Sequence, residues 1–247
     1  MKLALVADLH ANREAVTAVL AHAETQGAQR HAFLGDFVGY GADPGWVVDR
    51  VREHVTQGAI AVLGNHDAAV VQGPLPSMTA EARQVVEWTR AQVDAGQLAF
   101  LAGLPMSVSD GEALFVHANA YAPAAWDYIV GRSDAVRSLQ ATSARFTFCG
   151  HTHVPGLYHL TATGKSGEFV PSPGVTIPLS EQRRWLAIPG SAGQPRDGDP
   201  AACYAIFDTT AHELTFHRVP YDHDAAAAKM RAAGLPQRLA ERLADGD

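Results

Sequence analysis

The chain opens on "LALVAD", an unbroken apolar run, which reads as a strand buried on both faces. It gives way to "NREAVTAVLAHAETQG", in which Ala15, Val16, Val19 and Leu20 recur at helical spacing before Gly27 stops the pattern. "RHAFLGD" is a second predicted strand, "DPGWVVDRVREHV" a helix opened by Asp43 and Pro44, and "AIAVLGNHD" a third strand. This alternation predicts an α/β fold with parallel strands. Helical periodicity returns over "MTAEARQVVEWTRAQVDAGQLAFLAGLP", then come a strand "ALFVHAN", a helix near "RSDAVRSLQAT" and a strand "RFTFCG".

Past Thr152 the pattern changes. "PGLYHL", "RRWLAIPG", "AACYAIFD" and "ELTFHRV" are β-like runs separated by Gly, Pro and Asp, which predicts a mostly antiparallel second half. Between them "TATGKSGEFVPSPGVTIPLSEQ" has few large apolar residues and reads as a surface excursion. The alanine-rich tail is helical, interrupted at Gly234, Leu235 and Pro236. We expect one domain over 1–247, with a β-rich second half over 156–220 and a helical tail over 221–247. Two strand-rich halves, each with helices outside, would pack as a sandwich of two sheets.

Composition narrows the function. With 247 residues, a formal net charge of -7 and pI near 5.9, the chain has no overall basic field for bulk nucleic acid. A small anionic substrate would need a local positive centre. Cys149 and Cys203 are too few for a disulfide framework or a Cys-rich zinc module and read as inert core thiols. No apolar run reaches membrane-spanning length and Asp8 falls too early for a signal-peptide core, so the expected compartment is cytoplasmic.

The unusual feature is what ends the strands. The first runs into Asp8 and His10, the second into Asp36, the third into Asn65, His66 and Asp67, the fourth into His117, and "RFTF" into His151 and His153. In α/β sheets ligands bind beyond the carboxyl ends of the strands. One histidine at a strand end is an ordinary surface residue; five strand ends delivering such donors to one edge is a pattern. Carboxylate, amide and imidazole without thiolate select divalent ions such as Mn, Fe, Co, Ni or Zn. Seven donors exceed what one tetrahedral ion takes, and suit two ions that share a carboxylate. A water between two such ions loses a proton near neutral pH and attacks phosphorus in line.

"DLH", "GDFVGYG", "GNHD", "VHA" and "GHTH", in this order over the first 155 residues or so, resemble the calcineurin-like metallophosphoesterase family. The resemblance implies a four-layer α/β/β/α sandwich and a metal-dependent phosphohydrolase. It implies that Asp8, His10 and His153 hold one ion, that Asn65, His117 and His151 hold the other, and that Asp36 bridges. His66 would face the phosphate as a catalytic residue, with Asp67 either orienting its ring or capping a helix before "AAVV". The implied cofactors are two divalent ions, with Mn or Fe favoured over Zn, Ni or Co.

The Asp-Arg-Gly of the family's serine/threonine phosphatases is missing, because "GDFVGYG" carries Gly39, Tyr40 and Gly41 there. The stretch looks more like small bacterial and archaeal phosphodiesterases, some diadenosine tetraphosphatase-like. A small nucleotidic phosphodiester is the expected substrate, with a phosphomonoester or dinucleoside polyphosphate as the alternative and a non-catalytic scaffold behind both. Substrate-binding candidates are Tyr40, Asn12 and Arg196. Arg196 lies in "PGSAGQPRDGDP", where Gly190, Ser191 and Gly193 would offer backbone N–H groups to an anion or simply form a tight connection. Asn12 serves equally as the first helix's N-cap. In "NAYAPAAWDYI", Tyr121, Trp126 and Tyr128 read as local core ahead of a base-stacking platform. His22, His31, His54, His159, His212, His217 and His223 lie outside the motifs and read as structural or solvated.

Overall fold

The computed structural model describes residues 1–74 and 78–247. Strands β1 (Lys2–Val6), β2 (Arg30–Phe33) and β3 (Ile60–Ala61) alternate with helices α1 (Arg13–Thr25) and α2 (Pro44–Thr56). α3 (Asn65–Gln72), α4 (Ala80–Gln92) and α5 (Ala95–Ala102) follow. Then come β4 (Ser107–Asp110), β5 (Ala113–Val116), α6 (Arg132–Gln140) and β6 (Phe146–Phe148). The second half holds β7 (Gly156–Thr161), β8 (Ser166–Phe169), β9 (Thr176–Pro178), β10 (Arg183–Ile188), β11 (Ala202–Asp208) and β12 (Glu213–Val219). The tail forms α7 (His223–Ala232) and α8 (Gln237–Asp245), parted as expected at Gly234 to Pro236.

Among the described residues the strands make two six-stranded sheets, ordered β3-β2-β1-β11-β12-β9 and β4-β5-β6-β10-β7-β8. The sheets do not correspond to the two halves of the chain. β1 pairs in parallel with β2 and antiparallel with β11, and β10 pairs in parallel with β6 and antiparallel with β7. Each sheet thus joins strands of both halves and mixes parallel with antiparallel pairs. Hydropathy cannot show this, because it records which strands are buried but not their neighbours.

β1 shows why its sequence is apolar throughout. Leu3 and Leu5 face the core between the sheets, while Ala4 and Val6 face the core beneath α1 and α2. A strand with both faces covered loses the polar half of its alternation. Between the sheets Phe207 packs on Phe146 and Phe148 at 4.8 and 5.1 Å between ring centroids. Outside, α1 buries Ala15, Val16, Val19 and Ala23 on one sheet, and α6 sets Ala135 and Leu139 against Leu186 and Ile188 of the other. Burial of each leucine or valine contributes about 1.5–3 kcal/mol. Helix, sheet, sheet, helix is the layering that results.

Two expectations change. The excursion over residues 161–182 contains strands: β8 pairs with β7, and β9 pairs with β12 at the edge of the other sheet. Edge strands are held by main-chain bonds and need few large apolar residues, and Phe169 is accordingly exposed. The third strand is also shorter than expected. Val62 N–H still reaches Phe33 O, but Leu63 N–H goes to Pro105 O and the chain enters α3 at Asn65.

Candidate metal centre

β1, β2, β3, β5 and β6 leave their sheets at a common edge, and their next residues are the polar ones singled out above. Asp8, His10, Asp36, His117, His151 and His153 are all buried, with Asn65 partly so. Five of the seven adopt left-handed backbone: Asp8 (φ 54°), His10 (45°), Asp36 (55°), His151 (67°) and His153 (65°). Such residues cost on the order of 1–3 kcal/mol each and persist only where the surroundings hold them. Here the holding is by hydrogen bonds: Asp8 N–H to Gly35 O (3.1 Å), His10 N–H to Asp36 O (2.9 Å) and His151 N–H to both Asp8 carboxylate oxygens (3.0 and 3.1 Å). A Cβ on Gly64 would strike the Asp36 backbone and carboxylate, so only glycine lets the two strand ends meet.

The ring nitrogens fix the chemistry. His10 Nδ1 lies 3.2 Å from Val38 O and His153 Nδ1 lies 2.6 Å from Gln194 O. A carbonyl only accepts, so each Nδ1 carries the hydrogen and each Nε2 presents a lone pair. Those two Nε2 atoms face each other at 3.0 Å, with Asp8 Oδ1 3.5 Å from His153 Nε2. The neighbouring group repeats the pattern. His117 Nδ1 donates to Leu34 O (2.7 Å) and His151 Nε2 to Trp126 O (2.8 Å). His117 Nε2 and His151 Nδ1 are thereby bared at 3.2 Å from each other, and Asn65 Oδ1 lies 3.0 Å from His117 Nε2. Asp36 Oδ2 belongs to both groups, at 3.3 Å from His117 Nε2 and 3.9 Å from His10 Nε2, while its Oδ1 accepts His66 N–H at 2.8 Å.

Buried acceptors that converge without a donor are costly. A cation or a proton must lie between them. In the protein's own electrostatics protons are the substitute. Burial raises the Asp8 carboxyl to about 8. Burial disfavours a charge on His117, but the Asp36 carboxylate, with Asp8 and the Leu34 carbonyl adding to it, raises it to about 9. Asp36 is held well below the carboxylate range: burial would raise it, but His117, then His66, draw it down. Burial depresses His10 and His153, and takes His151 to about 4. The donors fit divalent ions, and binding such ions would displace the protons. Triads Asp8–His10–His153 and Asp36–His117–His151 each keep one ligand atom per residue within 4.8 Å, as do His10, Asp36 and His66.

The remaining candidates fare differently. The His66 ring stands beside His10 and Tyr40, at 5.0 and 4.5 Å between centroids, and no hydrogen bond engages its nitrogens among the described residues. Burial lowers its pKa. A Cβ on Gly39, whose φ is 86°, would lie 2.5 Å from His66 Nδ1. Asp67 makes no bond to that ring. Its oxygens accept N–H groups of Gly64 (3.0 Å), Phe37 (2.9 Å) and Val38 (3.2 Å), which ties the start of α3 to the loop after β2. It is the third residue of the helix, with Gly64 as N-cap. Arg196 Nη2 reaches Tyr40 Oη (3.3 Å) and Gln194 Oε1 (3.2 Å), and among the described residues its buried Nε has no hydrogen-bond partner.

Asn12 is spent on structure: its Oδ1 caps α1 through Ala15 N–H, and its Nδ2 donates to Gly193 O (2.8 Å) and Tyr221 Oη (3.1 Å). Ser191 and Gly193 likewise turn their donors inward, both to Asp8 O, at 2.8 and 2.9 Å. The Ser191 hydroxyl and the Gly193 N–H clamp the backbone of Asp8, so that N–H is unavailable to an anion. Of residues 119–129, Ile129 joins the core, but the aromatics Tyr121, Trp126 and Tyr128 do not. Tyr128 is 48% exposed and stacks on His151 at 4.0 Å and 12°, and Trp126 turns its ring edge-on to His117 at 5.9 Å. Sequence reasoning missed the carbonyls of Leu34, Val38, Trp126 and Gln194, because a backbone acceptor leaves no residue-type signal.

Residues 1–212 match the model of the calcineurin-like phosphoesterase superfamily domain. The chain belongs to that superfamily. Its members are phosphoric ester hydrolases, and the match runs past the motifs into the second half of the chain. Protein MJ0912 of Methanocaldococcus jannaschii is 33% identical over 98% of this chain and 96% of its own length. The crystal structure of a metallophosphoesterase from Sphaerobacter thermophilus is 37% identical with a TM-score of 0.88, covering 100% of this chain and 99% of that one. Protein PH1004 from Pyrococcus horikoshii shares the fold at 16% identity and a TM-score of 0.78, over 100% of this chain and 98% of its own. No helix among the described residues is long and apolar enough to cross a membrane.

Proposed function

We propose that this phosphoesterase hydrolyses small phosphodiesters, nucleotidic ones in the first place, with a pair of divalent metal ions. One ion would be held by Asp8, His10 and His153, the other by Asn65, His117 and His151, with Asp36 shared. The observation that carries this reading is the doubled set of inward lone pairs, with Asp36 Oδ2 belonging to both. Ions in these positions, Mn²⁺ or Fe²⁺ by the family resemblance, would supply Lewis acidity toward a phosphoryl oxygen and acidify water.

The chain's own groups do the rest. Carbonyls of Val38, Leu34, Trp126 and Gln194 hold each imidazole in the tautomer that presents its lone pair inward. His66, whose ring nitrogens have no hydrogen-bond partner among the described residues, is the group to protonate the leaving oxygen. Asp67 positions it by fixing the first turn of α3. Arg196, near Tyr40 at the rim, supplies a fixed positive charge for the phosphate, and Tyr40 keeps that guanidinium in place.

Removal of metal tests the reading. Chelator-stripped protein should lose hydrolysis of bis(p-nitrophenyl) phosphate and regain it with Mn²⁺; activity indifferent to stripping contradicts it. Rates on p-nitrophenyl phosphate and diadenosine tetraphosphate then decide between diester, monoester and polyphosphate chemistry.

A further inference from the structure

Beside His66 the surface opens into a cavity of about 200 Å³ between α4 and the C-terminal helix α8. Its lining runs from Tyr40, Asn65 and His66 to an apolar wall that includes Ala69, Val85 and Leu239. Arg238 and Arg242 also line it, one turn apart on α8. The two arginines are not equivalent. Arg238, 64% exposed, is paired with Glu81 at 3.0 Å. Among the described residues the half-buried Arg242 guanidinium has no hydrogen-bond or ion-pair partner. An unpaired guanidinium on an apolar cavity that reaches a candidate general acid is a recognition element without its ligand.

Its size limits what it takes. At about 200 Å³ it falls below the roughly 300 Å³ at which pockets hold whole small molecules. It suits one moiety of a substrate whose phosphorus sits elsewhere. His66 adjoins both the metal-ligand group and this cavity, so the moiety is the one whose oxygen His66 would protonate. We propose that the cavity receives the leaving group of the phosphodiester, an aromatic ring bearing a further anionic substituent, and that Arg242 pairs with that substituent. This rests on the phosphodiesterase reading above. It deepens that reading by naming the substrate class: diesters whose departing half is itself an anion with a ring, the chemistry of a nucleoside phosphate. The neutral apolar wall takes the ring, and Arg242 discriminates against leaving groups that lack the charge.

Two phosphodiesters isolate the claim: methyl 4-nitrophenyl phosphate and methyl 3-carboxy-4-nitrophenyl phosphate, identical but for a carboxylate on the leaving ring. The Mn²⁺-loaded protein should favour the carboxylated ester about tenfold in kcat/KM, after correction for its intrinsic reactivity, the scale of one charge-assisted contact. Arg242→Gln should erase the preference, and Arg242→Lys should retain part of it. Calorimetric binding of the released phenol, 5-hydroxy-2-nitrobenzoate, should weaken by the same factor in Arg242→Gln. A preference that survives in Arg242→Gln, or a loss equal for both esters, overturns the proposal. Failure of the wild-type chain to turn over either ester counts against the phosphodiesterase reading, and the phenol-binding arm then decides the cavity by itself.

Discussion

Around Tyr204, two histidines press on a buried phenol: His22 Nδ1 lies 2.7 Å from its Oη, and His217 stacks on its ring at 5.0 Å. At the strand ends, His10, His117, His151 and His153 crowd together at similar separations. Burial lowers His217 to about 4, and it lowers His151 to about 4 as well. Packing does not tell the two groups apart, and neither does the lowered proton affinity that His151 and His217 share. Partners do. The Tyr204 hydroxyl both donates and accepts, so His22 is complemented where it stands. At the strand ends every partner outside the cluster is a carbonyl, which consumes the one hydrogen on each ring and turns the lone pairs inward onto carboxylates. A binding site is recognised by what its groups lack.

Breaking the shared partner should have the largest effect. Asp36→Asn exchanges the carboxylate common to both groups for a neutral amide, and kcat on bis(p-nitrophenyl) phosphate should fall by about 10³-fold or more, the scale of losing a central electrostatic anchor. The matching change in the other cluster, His217→Gln, should leave kcat within about twofold. Equal losses would erase the distinction between the clusters. His66→Gln should cost about 10²–10⁴-fold in kcat with metal content retained, as expected for a lost proton donor. A variant that lost its metal would make His66 a ligand.

The smallest effect concerns stability. His31 and His217 are both lowered to about 4 by burial, each with a neighbouring histidine adding to the effect, His54 and His22 respectively. The unfolded chain takes up these protons near 6.5, before the folded one does. Their contribution is therefore complete above about pH 6.5 and is lost as pH falls toward 4. Replacing both by Gln should flatten the fall of the urea midpoint between pH 7 and pH 5. An unchanged slope would mean that these rings do not govern acid stability.

Much of this was readable from residues. β1 and α1 announced themselves because a doubly covered strand and a one-sided helix have different periods, and the clustering of donors at the strand ends because "GNHD" and "GHTH" place scarce residue types there. Strand order was not readable: nothing in "AACYAIFD" says that β11 lies beside β1. Nor was the fate of short polar side chains. Asn12 offered a donor to a substrate on paper, and the fold turned it onto Gly193 O and Tyr221 Oη. Tyr128 was misjudged for the opposite reason, since aromatic composition suggests burial while the loop after β5 leaves it open beside His151.

The central claim is that the strand-end acceptors are held apart by two cations. Its most direct measurement is the stoichiometry of tightly bound divalent metal by calorimetric titration with Mn²⁺. The wild-type chain should bind two ions, the His22→Gln/His217→Gln variant two, and the His117→Ala/His151→Ala variant one. Two ions retained in that last variant, or none bound by the wild-type chain, would contradict the account.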